Sequence, residues 1–469
     1  MIKKLSLFHT LQKIIAIALP LSAGRLLHII GSFIAMMMVG QLGKEQLAAG
    51  FLAISSTTTI LTLTLTIFYA IGIQIRYSRG QNKPPEAIGS LVKNGFLLAI
   101  ILAIPAALII GYMDKMLLLI GQEPHLVFLT TDYFRYAGLG MFPLLTMMVI
   151  GQFYVGIGKT KFVLIIEVIS LPLTILSSYG LVLGHFGLPK LGLSGVSLAS
   201  FFSQFLVLIG AFIVLYFSKN NQPYQLFKKP FLLNWQICRS ILSLGLPIGI
   251  QFGGELGAMA VAGYLMGYFG VDALAALQIT SQYSIIIIML SFGLTQSLSL
   301  MISETYGKRE NNDYTIKKYI QASILILLLY IVPVTLLFCT LSTEFAEYYL
   351  GKNHLKPDFL YLIRVFFSLS AVFLFFDGMR NLLSGALRGL HDSKTATRIN
   401  LLSMWVISLP ISYLAAFLFN GGPIALRVGF LSGFLIAVIL LARHLSKKLA
   451  LANNSPSFMN HTNSPLTSS

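Results

Sequence analysis

The sequence predicts an all-α, polytopic membrane protein: twelve transmembrane helices in two pseudo-symmetric six-helix lobes. Three observations carry that expectation. Of 469 residues, 56% are hydrophobic and only 10% charged, against about 25% charge in a soluble domain; mean hydropathy is +0.80. The apolar residues gather into runs of about 20 or more, long enough to cross the hydrocarbon core. Glycines and prolines of the first half recur in the second in near-constant register. A soluble multidomain enzyme is excluded on these grounds.

The expected spans, in order, are 14–39, 51–75, 89–112, 131–157, 162–184, 191–217, 240–267, 274–303, 318–341, 358–387, 398–420 and 424–443. The first begins like a signal peptide, with Lys3 and Lys4 ahead of an apolar run. Eleven spans follow it and the repeat includes it, so it reads as a transmembrane helix. Pro20, Pro105, Pro143, Pro172, Pro247, Pro333 and Pro410 lie in or at the ends of spans and are expected to bend them. A lobe at 1–217 is joined to a lobe at 240–449 by a basic loop, 218–239. The tail, 450–469, is rich in Ser, Asn and Pro and reads as disordered.

Charge sets the expected orientation. Of 33 Lys and Arg, 23 fall on one set of loops and termini, 8 on the opposite set, and 2, Arg25 and Arg380, within spans. The positive-inside rule puts the larger set and both termini in the cytoplasm. The net charge of +17 then needs no nucleic-acid partner. Cys238, in an expected cytoplasmic loop, and Cys339, in a span, are not placed to pair, and no Cys/His spacing suits zinc.

Pro20, Gly40, Gly43, Leu47, Ala48 and Ala49 match Pro247, Gly267, Gly270, Leu274, Ala275 and Ala276 at a shift of 227 residues. Gly80 meets Gly307 at the same shift, Pro105 meets Pro333 at 228, and Val168–Pro172 recurs as Val406–Pro410 at 238. Six spans per half give both halves one orientation, a parallel repeat about an axis along the membrane normal. Bundles of this kind hold their site between the lobes and work by alternating access.

Leu244-Gly245-Leu246-Pro247-Ile248-Gly249 followed by Glu255 resembles the multidrug and toxin extrusion (MATE) family. So do Met38-Val39-Gly40-Gln41-Leu42-Gly43, and Gly385-Ala386-Leu387-Arg388-Gly389 followed by Asp392. Gly184 to Gly192 is similar to the loop after span 5 in the NorM branch. The resemblance covers nearly the whole chain except the tail. It implies a V-shaped pair of lobes exporting organic cations or other amphipathic drugs in exchange for sodium or protons. It also implies coupling carboxylates in spans 7 and 10, matching Glu255 and Asp377. The chain departs from the family where Ala35 replaces a common aspartate, Ser170 and Thr174 replace paired asparagines, and Phe373 replaces a tyrosine. Coupling is therefore expected in the second lobe.

Intramembrane charge leads to the same residues. Glu167, Glu255 and Asp377 are the acids within spans, and each costs about 2.5–3.5 kcal/mol to insert at the midplane. Glu255 lies among glycines, where desolvation favours its neutral form and a proton can exchange. With Asp377 it would serve as the metal site if the coupling ion is sodium. Arg380, one turn after Asp377, reads either as an internal ion pair or as a switch that holds Asp377 until a cation or proton arrives. In span 1, Arg25 and His28 are three apart, and the repeat carries His28 onto Glu255. A static Arg25–Glu167 pair with His28 beside it, and a direct role in substrate or proton handling, both stand. Gln278 and Gln282 are expected as polar lining.

No Walker A motif occurs and no cofactor is expected, so an ion gradient of protons or sodium supplies the energy. One charge falling through about 150 mV releases roughly 3.5 kcal/mol, about 2.5 decades of concentration. The expected function is a cation-coupled multidrug efflux antiporter for amphipathic, often cationic, compounds. Its partners are small molecules and membrane lipids, and a monomer is expected. The alternative is a flippase for a lipid-linked anionic headgroup, which Arg25 and Arg380 would suit. A membrane enzyme would need clustered nucleophile, base or metal ligands, which the sequence does not offer.

Overall fold

A computed structural model describes residues 7–228, 230, 232–308, 313–350 and 357–454. Lys3, Lys4, Lys229, Arg309, Lys352 and Lys356 of the charge census, and the tail from 455 onward, lie outside them. No strand occurs among the described residues. The long helices are α1 (Leu7–Gly40), α2 (Lys44–Gly80), α3 (Pro85–Gly111), α4 (Pro124–Leu139 with Met141–Gly156), α5 (Lys161–Leu183) and α6 (Leu193–Phe217). The second half has α7 (Trp235–Gly267), α8 (Val271–Gly307), α9 (Asp313–Thr340), α10 (Pro357–Gly389), α11 (Ser393–Leu418) and α12 (Gly422–Ala450). Eleven of these are each long and apolar enough to cross a membrane, and the bent pair in α4 makes the twelfth.

Two elements differ from the sequence expectation. Span 4 was expected as one run over 131–157. The structure breaks α4 by 41° at Gly140, where a residue without a side chain precedes Pro143, which cannot donate a hydrogen bond to the turn before it. Helix α7 starts at Trp235, inside the loop expected over 218–239. Asn234 caps it, its Oδ1 accepting from the backbone N–H groups of Gln236 (3.0 Å) and Ile237 (3.3 Å). The Asn234 N–H donates in turn to Asn94 Oδ1 of α3 at 2.7 Å. Cys238 is accordingly buried on a helix rather than placed in a loop, and both cysteines are free.

The repeat is physical. Gly43 and Gly270, related by the 227-residue shift, precede α2 and α8 with φ of +120° and +91°, a region that disfavours any side chain. Gly80 and Gly307, related by the same shift, meet each other. A Cβ on Gly80 would lie 2.1 Å from the Glu304 carbonyl oxygen, and one on Gly307 would lie 2.3 Å from that of Tyr77. Tyr77 and Glu304 are themselves repeat mates, so the local two-fold axis passes between the two glycines.

Around that axis α1 packs on α8 and α2 on α7. One apolar core gathers the first half together with Ile241, Leu244 and Ile248 of α7. A second gathers much of the second half together with Ile14 and Ala18 of α1. Each half thus buries the opening turns of the other half's first helix. Every residue from Thr66 to Arg76 and from Ser297 to Ser303 is buried. Bonds between the halves concentrate here: Ser297 Oγ donates to the Ile14 carbonyl (3.0 Å), Ser303 Oγ to Ile73 (2.8 Å) and Ser22 Oγ to Leu290 (3.3 Å). Arg76 pairs with Glu304 at 2.5 Å. Toward the other end, over 51–63 and 271–290, burial is intermittent. The halves are joined at one face, which carries the beginning of α1 and the end of α12, and part toward the opposite one.

Candidate functional site

The densest polar network lies in the second half, where α7, α10 and α11 meet. Arg380 is 1% exposed, Asp377 4% and Glu255 6%. Arg380 Nη1 donates to Glu255 Oε1 and, at 2.8 Å, to Asn400 Oδ1. Its Nη2 donates to Glu255 Oε2 at 3.1 Å and to Asp377 Oδ1 at 2.7 Å. All four Nη hydrogens are used, while Nε has no partner. Gln251 Nε2 donates to Glu255 Oε1 at 2.8 Å, and Asn381 Nδ2 to Asp377 Oδ2 at 3.1 Å. Every carboxylate oxygen of the pair therefore accepts an N–H. Burying three charges costs several kcal/mol per ion, and a fork-shaped guanidinium between two carboxylates with amide support is the arrangement that offsets it. Sequence spacing put Asp377 beside Arg380; the structure adds Glu255 to the same guanidinium.

Arg388 joins this network, which corrects its place in the charge census. It was counted with the cytoplasmic loops, yet it is 5% exposed at the end of α10. Its Nη2 donates to Gln251 Oε1 at 2.9 Å, and its guanidinium lies over the Phe252 ring at 4.9 Å. Gln251 is thus a relay with fixed amide orientation, accepting from Arg388 and donating to Glu255. Two guanidinium groups balance two carboxylates. Arg427, counted with the opposite loops, is likewise drawn inward and donates to Ser370 Oγ of α10. Sequence reading missed Gln251, Asn381, Ser384, Arg388 and Asn400. A signal existed for part of this set: Asp377, Asn381, Ser384 and Arg388 recur at helical spacing along one face of α10. Asn400, which donates to Ser384 Oγ at 2.9 Å, comes from α11, and no pattern in one sequence announces it. Phe373 packs on Phe434, the ring that faces Arg380.

The first half is built differently. The Arg25–Glu167 pair offered by the sequence does not form. Arg25, partly exposed, donates through Nη2 to the Tyr69 hydroxyl and lies 5.2 Å from the Phe292 ring centre. Glu167 instead approaches His28, with Oε2 at 3.7 Å from Nδ1 and side chains 26% and 49% exposed. Ser170 and Thr174 are partly buried on the Glu167 face of α5, and Ala35 is buried in the core. Gln278 and Gln282 are exposed on the outer half of α8 and are not brought to the Glu255 network. No group of three or more His, Cys, Asp or Glu suited to a metal ion occurs among the described residues.

At the joined face, His391 follows α10. Its ring packs, tilted, against that of Tyr77 of α2 at 4.5 Å, and its Nε2 lies 3.4 Å from Ser303 Oγ. Burial, with Lys448 adding to it, pushes the imidazole down to about 4. Next to it, burial opposes ionisation of Asp392, but hydrogen bonds from His444, Thr395 and Lys448 outweigh burial and hold the carboxyl well below its usual range. Asp392 also caps α11 through the Thr395 N–H.

Comparison with known proteins agrees with this architecture. The MatE family model matches residues 20–180 and 247–414, one match in each half. A "Probable multidrug resistance protein NorM" of Pseudomonas putida is 28% identical over 434 residues, covering 92% of this chain and 93% of that protein. Another so described, from Agrobacterium fabrum, is 29% identical over 450 residues, covering 93% of each. A solved structure described as the "Outward-facing conformation of a multidrug resistance MATE family transporter of the MOP superfamily" superposes with a TM-score of 0.84 at 17% identity, over 97% of this chain and 99% of that one. The two half-matches of the family model fall on the two halves that the Gly80–Gly307 axis relates, and the chain belongs to the MatE family of multi-pass membrane transporters.

Proposed function

We propose that the chain is a proton-coupled multidrug efflux antiporter that exports amphipathic compounds by alternating access. It acts as a monomer in a bacterial inner membrane with both termini cytoplasmic. The NorM-described relatives support multidrug export. In that orientation the joined face is cytoplasmic and the halves part toward the outside. The observation that carries the coupling reading is the Arg380 guanidinium bridging Glu255 and Asp377. The place between the two carboxylates that a sodium ion would take is already held by a cation, the Arg380 guanidinium, while each carboxyl keeps lone pairs beyond its N–H partners. A proton needs one lone pair. Proton uptake by either carboxyl removes a charge that holds Arg380, so α7, α10 and α11 must repack, which biases the equilibrium between the two access states.

The test uses proteoliposomes loaded with rhodamine 123 or with its free acid, rhodamine 110, with pH and sodium gradients imposed separately. Exchange driven by the pH gradient, reduced at least about tenfold in Glu255→Gln and Asp377→Asn, is the expected result. Unchanged exchange in both variants would remove the coupling reading, and exchange driven by sodium alone would replace the proton. Of the two arginines that suit the flippase alternative, Arg380 is engaged by two carboxylates, which leaves Arg25 to carry that reading.

A further inference from the structure

The repeat shift that carries His28 onto Glu255 carries Arg25 onto Phe252. At equivalent places beside the interface, the second half presents an aromatic ring and an acid, and the first half presents a guanidinium and an imidazole. The two guanidinium groups of α10 are buried in the balanced network. Arg25 is not. Its hydrogen-bond partner is the neutral Tyr69 hydroxyl, and no carboxylate among the described residues lies within ion-pairing distance of it. Glu167, the acid one helix away, is turned to His28.

Tyr69 is 6% exposed, so its hydroxyl is a fixed anchor that orients the guanidinium. The Phe292 ring, 5.2 Å from the guanidinium carbon, lies 5.5 Å from Tyr69 and 5.9 Å from Phe252. Arg25 thus sits at the edge of an aromatic cluster built by α2, α7 and α8, where the halves begin to part. A guanidinium has five N–H donors in a planar fork, and one is used. A cation held within a span without a counter-charge is costly, and a fork with free donors matches an oxyanion bidentately. Aromatic faces alongside suit the apolar body of the same molecule.

We propose that Arg25 is the recognition site for a single oxyanion, a carboxylate or its like, carried by the transported amphiphile. The cargo is then anionic or zwitterionic, with its oxyanion on Arg25 and its apolar part against Phe292 and Phe252. This rests on the transport reading and narrows its substrate class.

A matched pair of dyes tests it. Rhodamine 110 carries a free benzoate, and rhodamine 123 is its methyl ester. Binding of each to the purified full chain is followed by fluorescence anisotropy at neutral pH, with no gradient. The wild-type protein is expected to hold rhodamine 110 at least about tenfold more tightly than rhodamine 123. Arg25→Gln should bring that ratio to about one, with Arg25→Lys between. A wild-type ratio of one, or a ratio kept in Arg25→Gln, overturns the proposal. If Arg25→Gln aggregates, Tyr69→Phe, which removes the anchor, should lower the ratio, and an unchanged ratio counts against Arg25. Nanodiscs with and without phosphatidylglycerol tell the oxyanion's source. Competition that depends on Arg25 assigns the site to an anionic lipid headgroup, and absence of competition assigns it to a soluble cargo. Because binding is read at equilibrium, a lost ratio with intact pH-driven exchange sinks this inference alone. A kept ratio without exchange sinks the antiport reading alone.

Discussion

Arg380 shows how much one side chain can hold. It is the common partner of two buried acids and of Asn400. Arg380→Ala leaves two desolvated carboxylates facing each other, and breaking a buried ion pair on one side costs about 3–5 kcal/mol. The expected outcome is a large fall in thermal stability in detergent that is partly recovered at acid pH, where the orphaned acids take up protons. A fall that does not change with pH would contradict the arrangement. His391 gives a second residue-scale prediction. Its pKa is depressed by burial, so the unfolded chain binds a proton near pH 6.5 while the folded chain binds one only near 4. Stability should fall as pH drops through that window, and His391→Gln should remove this share of the slope in a melting series across pH. Arg388 marks the limit of reading at this scale. A charged residue at the end of an apolar run is indistinguishable in sequence from a loop residue. What buries it is Gln251, on a helix more than a hundred positions away.

At the scale of elements, apolar run length was informative, because crossing a bilayer demands it and leaves few alternatives. Where the structure departs, the departure is a bend within one run or a shifted start of another. The bend at Gly140 and the earlier start of α7 at Trp235 depend on a proline's missing donor and on the Asn234 cap, both too local to register in a hydropathy window. The glycines were legible as repeats, but not as contacts. Gly80 and Gly307 approach so closely that any side chain there displaces backbone of the opposite helix. Gly80→Val should therefore pry α2 from α8 at the joined face. Hydrogen exchange over residues 66–80 and 297–307 is expected to rise by about tenfold or more, corresponding to roughly 1.4 kcal/mol of lost packing, while exchange around the Glu255 network stays close to wild type. Equal protection in the variant would mean that the axial contact is not what closes this face.

For the whole molecule, two halves related by a parallel two-fold axis must open one face as they close the other, and the structure holds the Tyr77–Glu304 side closed. Arg76–Glu304 is an ion pair that crosses between the halves, with side chains 9% and 28% exposed, so it retains more of its Coulombic strength than a surface pair. A pair contributing about 1.4 kcal/mol to one access state changes the ratio of states tenfold. Glu304→Gln should then shift molecules toward the state in which the opposite face is shut. Lys44 and Val271, repeat mates at the first turns of α2 and α8, are both exposed and can carry spin labels. Pulsed dipolar distances between them in nanodiscs should show one long population in the wild-type protein and an added short population in Glu304→Gln. The exchanged pair Arg76→Glu with Glu304→Arg should restore the long one, because an ion pair in swapped order keeps its attraction while each single change loses it. If the single change leaves the distances as they were, the pair does not set the access state, and the closed face is held by the glycine contact, the serine–carbonyl and glutamine bonds and the apolar cores that span the halves.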